Sequence, residues 1–210
     1  NASICDITAQ DEFDLSRPGR EKCAFFCISS DQDSTFDFLS SLFFSFLFIK
    51  LVRYADAEGV DGKLPIGVNF VLDEFPNLGV INDFKKKIST VRSRNIGISV
   101  IFQNIAQLKN RYPNDEYLEI LGNCDTQIAL GCTDEVTARF ISNRTGEVTI
   151  DVNSQSKQLY AMRMTDYTPE YRETNSVGRR KLMTADEVLR MPLDEALIIL
   201  RGQNGFKVKK

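Results

Sequence analysis

The sequence predicts an α/β fold, a parallel sheet flanked by helices, and three observations predict it. Four uncharged apolar runs of strand length alternate with segments whose apolar residues recur every three or four positions, and such alternation lays successive strands side by side with helical crossovers. Two of these runs end abruptly in polar residues, Asp73-Glu74 and Gln103, as strands do where they open onto a ligand crevice. With 42% apolar and 26% charged residues in 210, the chain can bury a sizeable core, so a single domain is expected.

The elements follow in order. Cys23-Ala24-Phe25-Phe26-Cys27-Ile28-Ser29 is continuously apolar and predicts a first strand covered on both faces. Ser34-x-x-Asp37 resembles a capping box, and Phe36, Leu39, Phe43, Phe46, Leu47 and Tyr54 then recur at helical spacing. Six phenylalanines between Phe36 and Phe48 occupy nearly every side of that helix, which predicts burial between the sheet and a second layer. Its uncharged run, 38–49, is 12 residues, short of the ~20 of a membrane span. No charged and then apolar leader opens the chain, so no signal peptide is expected.

A polar loop at 59–65 precedes a second strand, Val68 to Leu72, which ends in Asp73-Glu74 and a turn at Pro76-Asn77. Phe84, Ile88 and Val91 mark a helix that stops near Asn95 and Gly97. A third strand, 98–102, runs into Gln103. Helical pieces around 106–108 and 117–121 lead to a fourth strand, 126–130, and Thr133 is placed to cap the helix beginning with Asp134 and Glu135. Beyond Glu147 come a short strand and a polar stretch, 153–180, expected to be mobile or to lie on a partner. Thr184-x-x-Glu187 opens a short helix stopped by Pro192, and 196–200 is a last apolar strand.

Composition excludes much chemistry. The chain has no histidine and no tryptophan, which removes histidine triads and two-histidine zinc sites. Lys and Arg number 26 against 29 Asp and Glu, a net charge of -3, so any nucleic-acid contact is expected to be local. The five cysteines (Cys5, Cys23, Cys27, Cys124, Cys132) show no C-x-x-C pair and predict a reduced, cytosolic setting with thiols used for packing.

What remains is concentrated at the strand ends. An apolar strand ending in two acids is the Walker B pattern: the first carboxylate holds Mg²⁺ through water and the second activates the water that attacks a γ-phosphate. Asp73 and Glu74 fit these roles, as an alternative to two merely solvated acids. Gln103, a polar amide ending the next strand, is placed to sense that phosphate, and Arg92 and Arg94 lie on the approach to it, where an arginine could reach a neighbouring subunit's nucleotide. No G-x-x-x-x-G-K-[ST] occurs, since Gly62-Lys63 is followed by Leu64, so the chain alone is expected to bind ATP poorly. Lys85-Lys86-Lys87 is read as a solvated helix face before a nucleic-acid contact, and Cys132, lacking a histidine base, as packing.

Three stretches carry a resemblance. Val71 to Gly79 (VLDEFPNLG), Arg92 to Ile96 (RSRNI) and Ile101 to Leu108 (IFQNIAQL), with the ending Leu182 to Gln203, resemble the core of TraG/TraD-type coupling proteins of type IV secretion and conjugation, which are FtsK/HerA-related. The resemblance covers nearly the whole chain in order. It implies a partial RecA-like P-loop NTPase core that lacks the Walker A strand and loop; Asn1-Ala2 itself reads as a cloning remnant, which leaves 3–210 as the domain. It assigns the Walker B acids to Asp73 and Glu74 and the downstream motif glutamine to Gln103. It implies ATP and Mg in an intact parent, none bound tightly here, and a homo-hexameric motor on the cytoplasmic face of the bacterial inner membrane. That motor would pass relaxase-bound single-stranded DNA to secretion channel proteins, while this piece would be soluble, cytoplasmic and inactive by itself. Loss of the phosphate-loop strand is expected to leave an unpaired sheet edge, through which the piece could self-associate. Two other readings stand beside it: a non-catalytic module receiving relaxase or secreted protein through 153–180, and a metal-dependent phosphoesterase built on Asp73 and Glu74, for which two adjacent acids are a poor two-metal site.

Overall fold

The computed structural model describes residues 9, 13–29, 34–157 and 171–210; Cys5, the Asp11-Glu12 lead-in and 158–170 of the polar stretch lie outside them. The chain forms two compact units, Asn1–Asp125 and Thr126–Lys210.

In the first unit, α1 (Asp37–Glu58) packs on a parallel pair, β1 (Val68–Leu72) and β2 (Ile96–Val100), in register from Val68↔Ile96 to Leu72↔Val100. The crossover between the strands carries a 3-10 turn (Phe75–Leu78), α2 (Phe84–Thr90) and a second 3-10 turn (Val91–Arg94). After β2 come α3 (Ile105–Arg111) and α4 (Glu116–Gly122). Alternation decides the packing: Phe70 and Leu72 are buried while Asn69 and Val71 face out, and Phe48 of α1 stacks on Phe70 at 4.2 Å between centroids. Each such side chain stabilises the unit by roughly 1.5–3 kcal/mol through burial alone. Gly79 has φ 77°, and a Cβ there would lie 2.7 Å from the Asp37 carbonyl oxygen, so only glycine lets the turn after β1 close onto the start of α1.

Several expectations are corrected here. The stretch from Cys23 to Ser29 is not a covered strand: it joins no ladder, Cys23 and Cys27 are exposed, and Phe26 and Ile28 are 87% and 95% exposed. An apolar run becomes a strand only where a neighbour completes its hydrogen bonds, and neither strand of the β1–β2 pair takes it up. Ser34 and Asp37 form no capping box; the helix starts after a 3-10 turn with Phe36 at its N-cap and no side-chain bond, and the Asp37 carboxylate faces Arg111 instead. The expected second layer over α1 is also absent among the described residues. Phe44, Leu47, Phe48, Leu51 and Ala55 are buried, whereas Phe38, Leu42, Phe46 and Ile49 face outward. By length and composition Ser34–Glu58 could cross a membrane, but here one of its faces is part of a core. The third strand begins two residues early, because Asn95 (φ 64°) makes the turn directly into Ile96.

In the second unit, β3 (Thr126–Ala129) pairs antiparallel with β6 (Glu195–Leu200), which pairs antiparallel with β7 (Phe206–Lys209). The expectation of a fourth strand parallel to the others is therefore corrected: β3 is ordered by a strand from the end of the chain. Against this sheet α5 (Glu135–Thr145) and α6 (Ala185–Leu189) bury Ala138, Ile141, Met183, Val188 and Leu197. Asp134, not Thr133, caps α5 by accepting the Thr137 N–H at 2.8 Å. The box at α6 is realised, with Glu187 N–H to Thr184 Oγ1 at 3.3 Å and Thr184 N–H to Glu187 Oε2 at 2.9 Å.

Where described, the polar stretch is not structureless. β4 (Glu147–Lys157) and β5 (Tyr171–Lys181) form an antiparallel ribbon of eleven residue pairs, Glu147↔Lys181 to Lys157↔Tyr171. Val148, Ile150 and Val152 alternate on one face at the start of β4, but beyond Val152 the run of Asn, Ser, Gln and Lys leaves the period of two without contrast. The outer edges of β2 and of β3 each lack a partner strand among the described residues.

Candidate functional site

The carboxyl ends of β1 and β2 are fastened beyond the last ladder residues. Ile101 N–H donates to Leu72 O at 3.0 Å and Phe75 N–H to Ile101 O at 2.8 Å. This zipper carries the chain past Asp73 and Glu74 on one strand and to Gln103 on the other. Glu74 sits in the left-handed region, φ 44° and ψ 47°, a conformation that costs a non-glycine residue about 1–3 kcal/mol. It is retained because its neighbours over-determine it: Asn77 N–H donates to Glu74 O at 2.7 Å, and Phe75 is fully buried.

The result is a rim of three polar groups. Gln103 Nε2 donates to Glu74 Oε1 at 3.1 Å although 29 residues separate them. Asp73, exposed, accepts the Glu74 N–H on Oδ1 at 3.2 Å. Asn104 follows Gln103 and accepts the Gln107 N–H at 2.9 Å, capping α3, so Gln103 is held between a strand and a fixed helix start. Beneath the rim lies an aromatic block. The Phe75 ring stacks on Tyr112 at 5.2 Å and 4° and meets Phe84 at 4.6 Å. Tyr112 accepts the Ile81 N–H at 3.2 Å, and burial pushes its phenol up to about 12.

The other sequence candidates lie elsewhere. Arg92 and Arg94 precede β2, at the amino end of the strands; five residues of strand put about 16 Å between that end and the rim. They do not touch Asp73 or Glu74 of their own chain, and their situations differ. Arg94 is committed, with two bonds to the Asp56 carboxylate (2.8 and 3.2 Å) and one to Thr90 O (3.0 Å). Arg92 is 79% exposed, donates to Asp125 at 2.5 Å, and lines an open cleft of about 460 Å³ with Lys63, Ser89, Ser93 and Asn95.

The lysine run is claimed: Lys85 bridges Glu116 and Glu119, Lys86 pairs with Asp83, and Lys87 donates to Asn82 O. The Cys132 thiol is pushed up by burial first and by Asp134 second, the opposite of what a nucleophile needs. No group of three His, Cys, Asp or Glu side chains is placed to hold a metal among the described residues, so Asp73 could hold an ion only with water and a ligand's oxygens completing the shell. Sequence reasoning missed Tyr112, Asp56 and Asp125, for their partners lie 31 to 38 residues away and no local pattern links them.

The model of the family described as type IV secretory system conjugative DNA transfer matches residues 1–210. The chain belongs to this family. Among curated proteins it is similar to the conjugal transfer protein TraG of Escherichia coli, 32% identical over 149 residues, covering 66% of this chain and 22% of that protein. It is also similar to the protein VirD4 of Rhizobium rhizogenes, 24% identical over 198 residues, covering 94% of this chain and 28% of that protein. The chain thus spans about a quarter of the length of these relatives. Among solved structures the fold is shared with the bacterial conjugative coupling protein TrwBdeltaN70, at a TM-score of 0.61 and 16% identity over 81% of this chain and 35% of that one. The plasmid coupling protein TrwB in complex with ADP and Mg²⁺ gives 0.59 and 15% identity, over 83% of this chain and 37% of that one. The fold of this family member is α/β of the TrwB type.

Proposed function

We propose that this chain is the part of a conjugative coupling-protein motor that carries the acids and the phosphate sensor of ATP hydrolysis. The observation that carries the reading is the hydrogen bond from Gln103 to Glu74, at the carboxyl ends of two adjacent parallel strands. Glu74 takes the proton of the attacking water, and Gln103, already in its hydrogen-bond shell, reads whether a γ-phosphate is present. Asp73, exposed at the same rim, would hold Mg²⁺ through water, and the ion would neutralise charge on the β- and γ-phosphate oxygens. The solved TrwB complexes with an ATP analogue and with ADP and Mg²⁺ support this ligand class.

Of the two arginines, Arg92 is the one whose guanidinium is presented outward, so it is the one that would reach a nucleotide in a neighbouring subunit of an assembled ring. The phosphate-binding loop, which these 210 residues do not contain, would come from elsewhere in the longer protein, and hydrolysis would drive relaxase-bound single-stranded DNA toward the secretion channel.

The test is ATP turnover by the full-length protein. Glu74→Gln is expected to lower kcat by about 10²–10⁴-fold, the usual contribution of a general base, with ATP still bound. Turnover unaffected by that change would reject the role given to Glu74.

A further inference from the structure

Glu74 and Gln103 are linked twice, once at the rim and once beneath it. Directly after Gln103 the chain enters α3, and Tyr112 caps its carboxyl end, with Tyr112 N–H donating to Leu108 O at 2.9 Å. From there the Tyr112 ring lies flat on the ring of Phe75, the residue that follows Glu74. Arg111 adds a bond from Nε to Pro76 O at 2.6 Å, and the Tyr112 hydroxyl fixes the Ile81 N–H on the far side of the turn. The segment that supplies the amide therefore also grips the turn that aims the acid.

We propose that Tyr112, acting through the buried ring of Phe75, is a positioning residue that holds Glu74 in its left-handed conformation and so keeps its carboxylate at the amide of Gln103. A strained backbone persists only while its surroundings enforce it. For Glu74 the enforcing contacts are the Phe75 N–H bond to Ile101 O and the seat of the Phe75 ring between Phe84 and Tyr112. Remove one wall of that seat and the turn can relax toward ordinary backbone angles, swinging the carboxylate away from the water it would activate. Neither a charge nor a contact with nucleotide is needed from Tyr112. The inference rests on the reading of Glu74 as the base, and its test has one arm that does not.

That arm is amide hydrogen exchange on the 210-residue chain. Tyr112→Leu is expected to speed exchange at Phe75 and Asn77 by about tenfold relative to Val68, whose N–H donates to Asn95 O at the opposite end of β1. Tyr112→Phe keeps the ring and is expected to speed only Ile81. Uniform acceleration, or none at Phe75 and Asn77, overturns the proposal. The second arm is turnover by the full-length protein, where Tyr112→Leu is expected to lower kcat by about tenfold or more with KM little changed, since a small misplacement of a reacting group is costly. Tyr112→Phe is expected to restore it. In a Glu74→Gln background Tyr112→Leu is expected to add nothing, and a full additional loss there, or a matching rise in KM, overturns the proposal. If Glu74→Gln itself leaves turnover intact, the base assignment fails while the exchange arm still decides whether Tyr112 holds the turn. Phe75→Leu, which thins the same stack from the other side, serves if Tyr112→Leu does not fold.

Discussion

The turn after β1 and the β4–β5 ribbon are opposite ways of holding a chain in place. At the turn, a residue in an unfavourable backbone region is fixed by a fully buried phenylalanine, two backbone hydrogen bonds and a stack of three aromatic rings. In the ribbon, eleven pairs of residues in ordinary extended geometry are joined to each other, and the described side chains from Asn153 to Ser156 and from Arg172 to Val177 face solvent. The turn spends local strain to fix one carboxylate. The ribbon, a two-stranded element with both outer edges unpaired among the described residues, is of a kind only marginally stable without a partner. A long ladder alone packs little against a core; it is what lies beneath the backbone that can hold a strained residue in place.

The largest effect is expected from Phe75→Ala. It empties the centre of the aromatic block and is expected to cost about 3–5 kcal/mol of unfolding free energy, read by chemical denaturation of the 210-residue chain. A loss under about 1 kcal/mol would mean that the block is not the anchor.

A smaller effect is expected from alkaline titration. Burial raises the Tyr112 phenol from an ordinary value of 10.0 to about 12, so the fold favours the neutral form. Its contribution is complete below about pH 10 and drains away as pH rises through the folded value, because the unfolded phenol ionises first. Denaturation midpoints should fall more steeply between these values for the native chain than for Tyr112→Phe, and identical profiles would remove Tyr112 from the account. The smallest effect belongs to the ribbon: Val177, 70% exposed, should accept serine with a change within about 0.5 kcal/mol. A larger loss would show that the ribbon is packed after all.

Much of the site was legible because it is written in residues that end strands. Val68 to Leu72 and 126–130 read as strands, the second of them one residue longer than the observed Thr126–Ala129, and Thr184-x-x-Glu187 read as a helix start because a capping box is a local device. Cys23 to Ser29 misled for the converse reason: its apolar character is real, but pairing is supplied by neighbours and here none is present among the described residues. The direction of β3 was hidden because β6, its partner, begins 66 residues later than the end of β3. The two arginines looked equivalent until Asp56, far back on α1, was seen to take one of them.

By itself the sequence determined which chemistry is available: two acids and an amide at strand ends, no histidine, and no phosphate-binding loop within these residues. Those are properties of residue type and spacing, and they survive any error in topology. Only the tertiary structure decided that Glu74 and Gln103 touch, that Arg92 and not Arg94 is presented outward, and that Tyr112 lies under the turn. Each of these depends on contacts across 29 to 38 positions of chain, which are set by how side chains fill a shared core and not by any pattern a short window of sequence can hold.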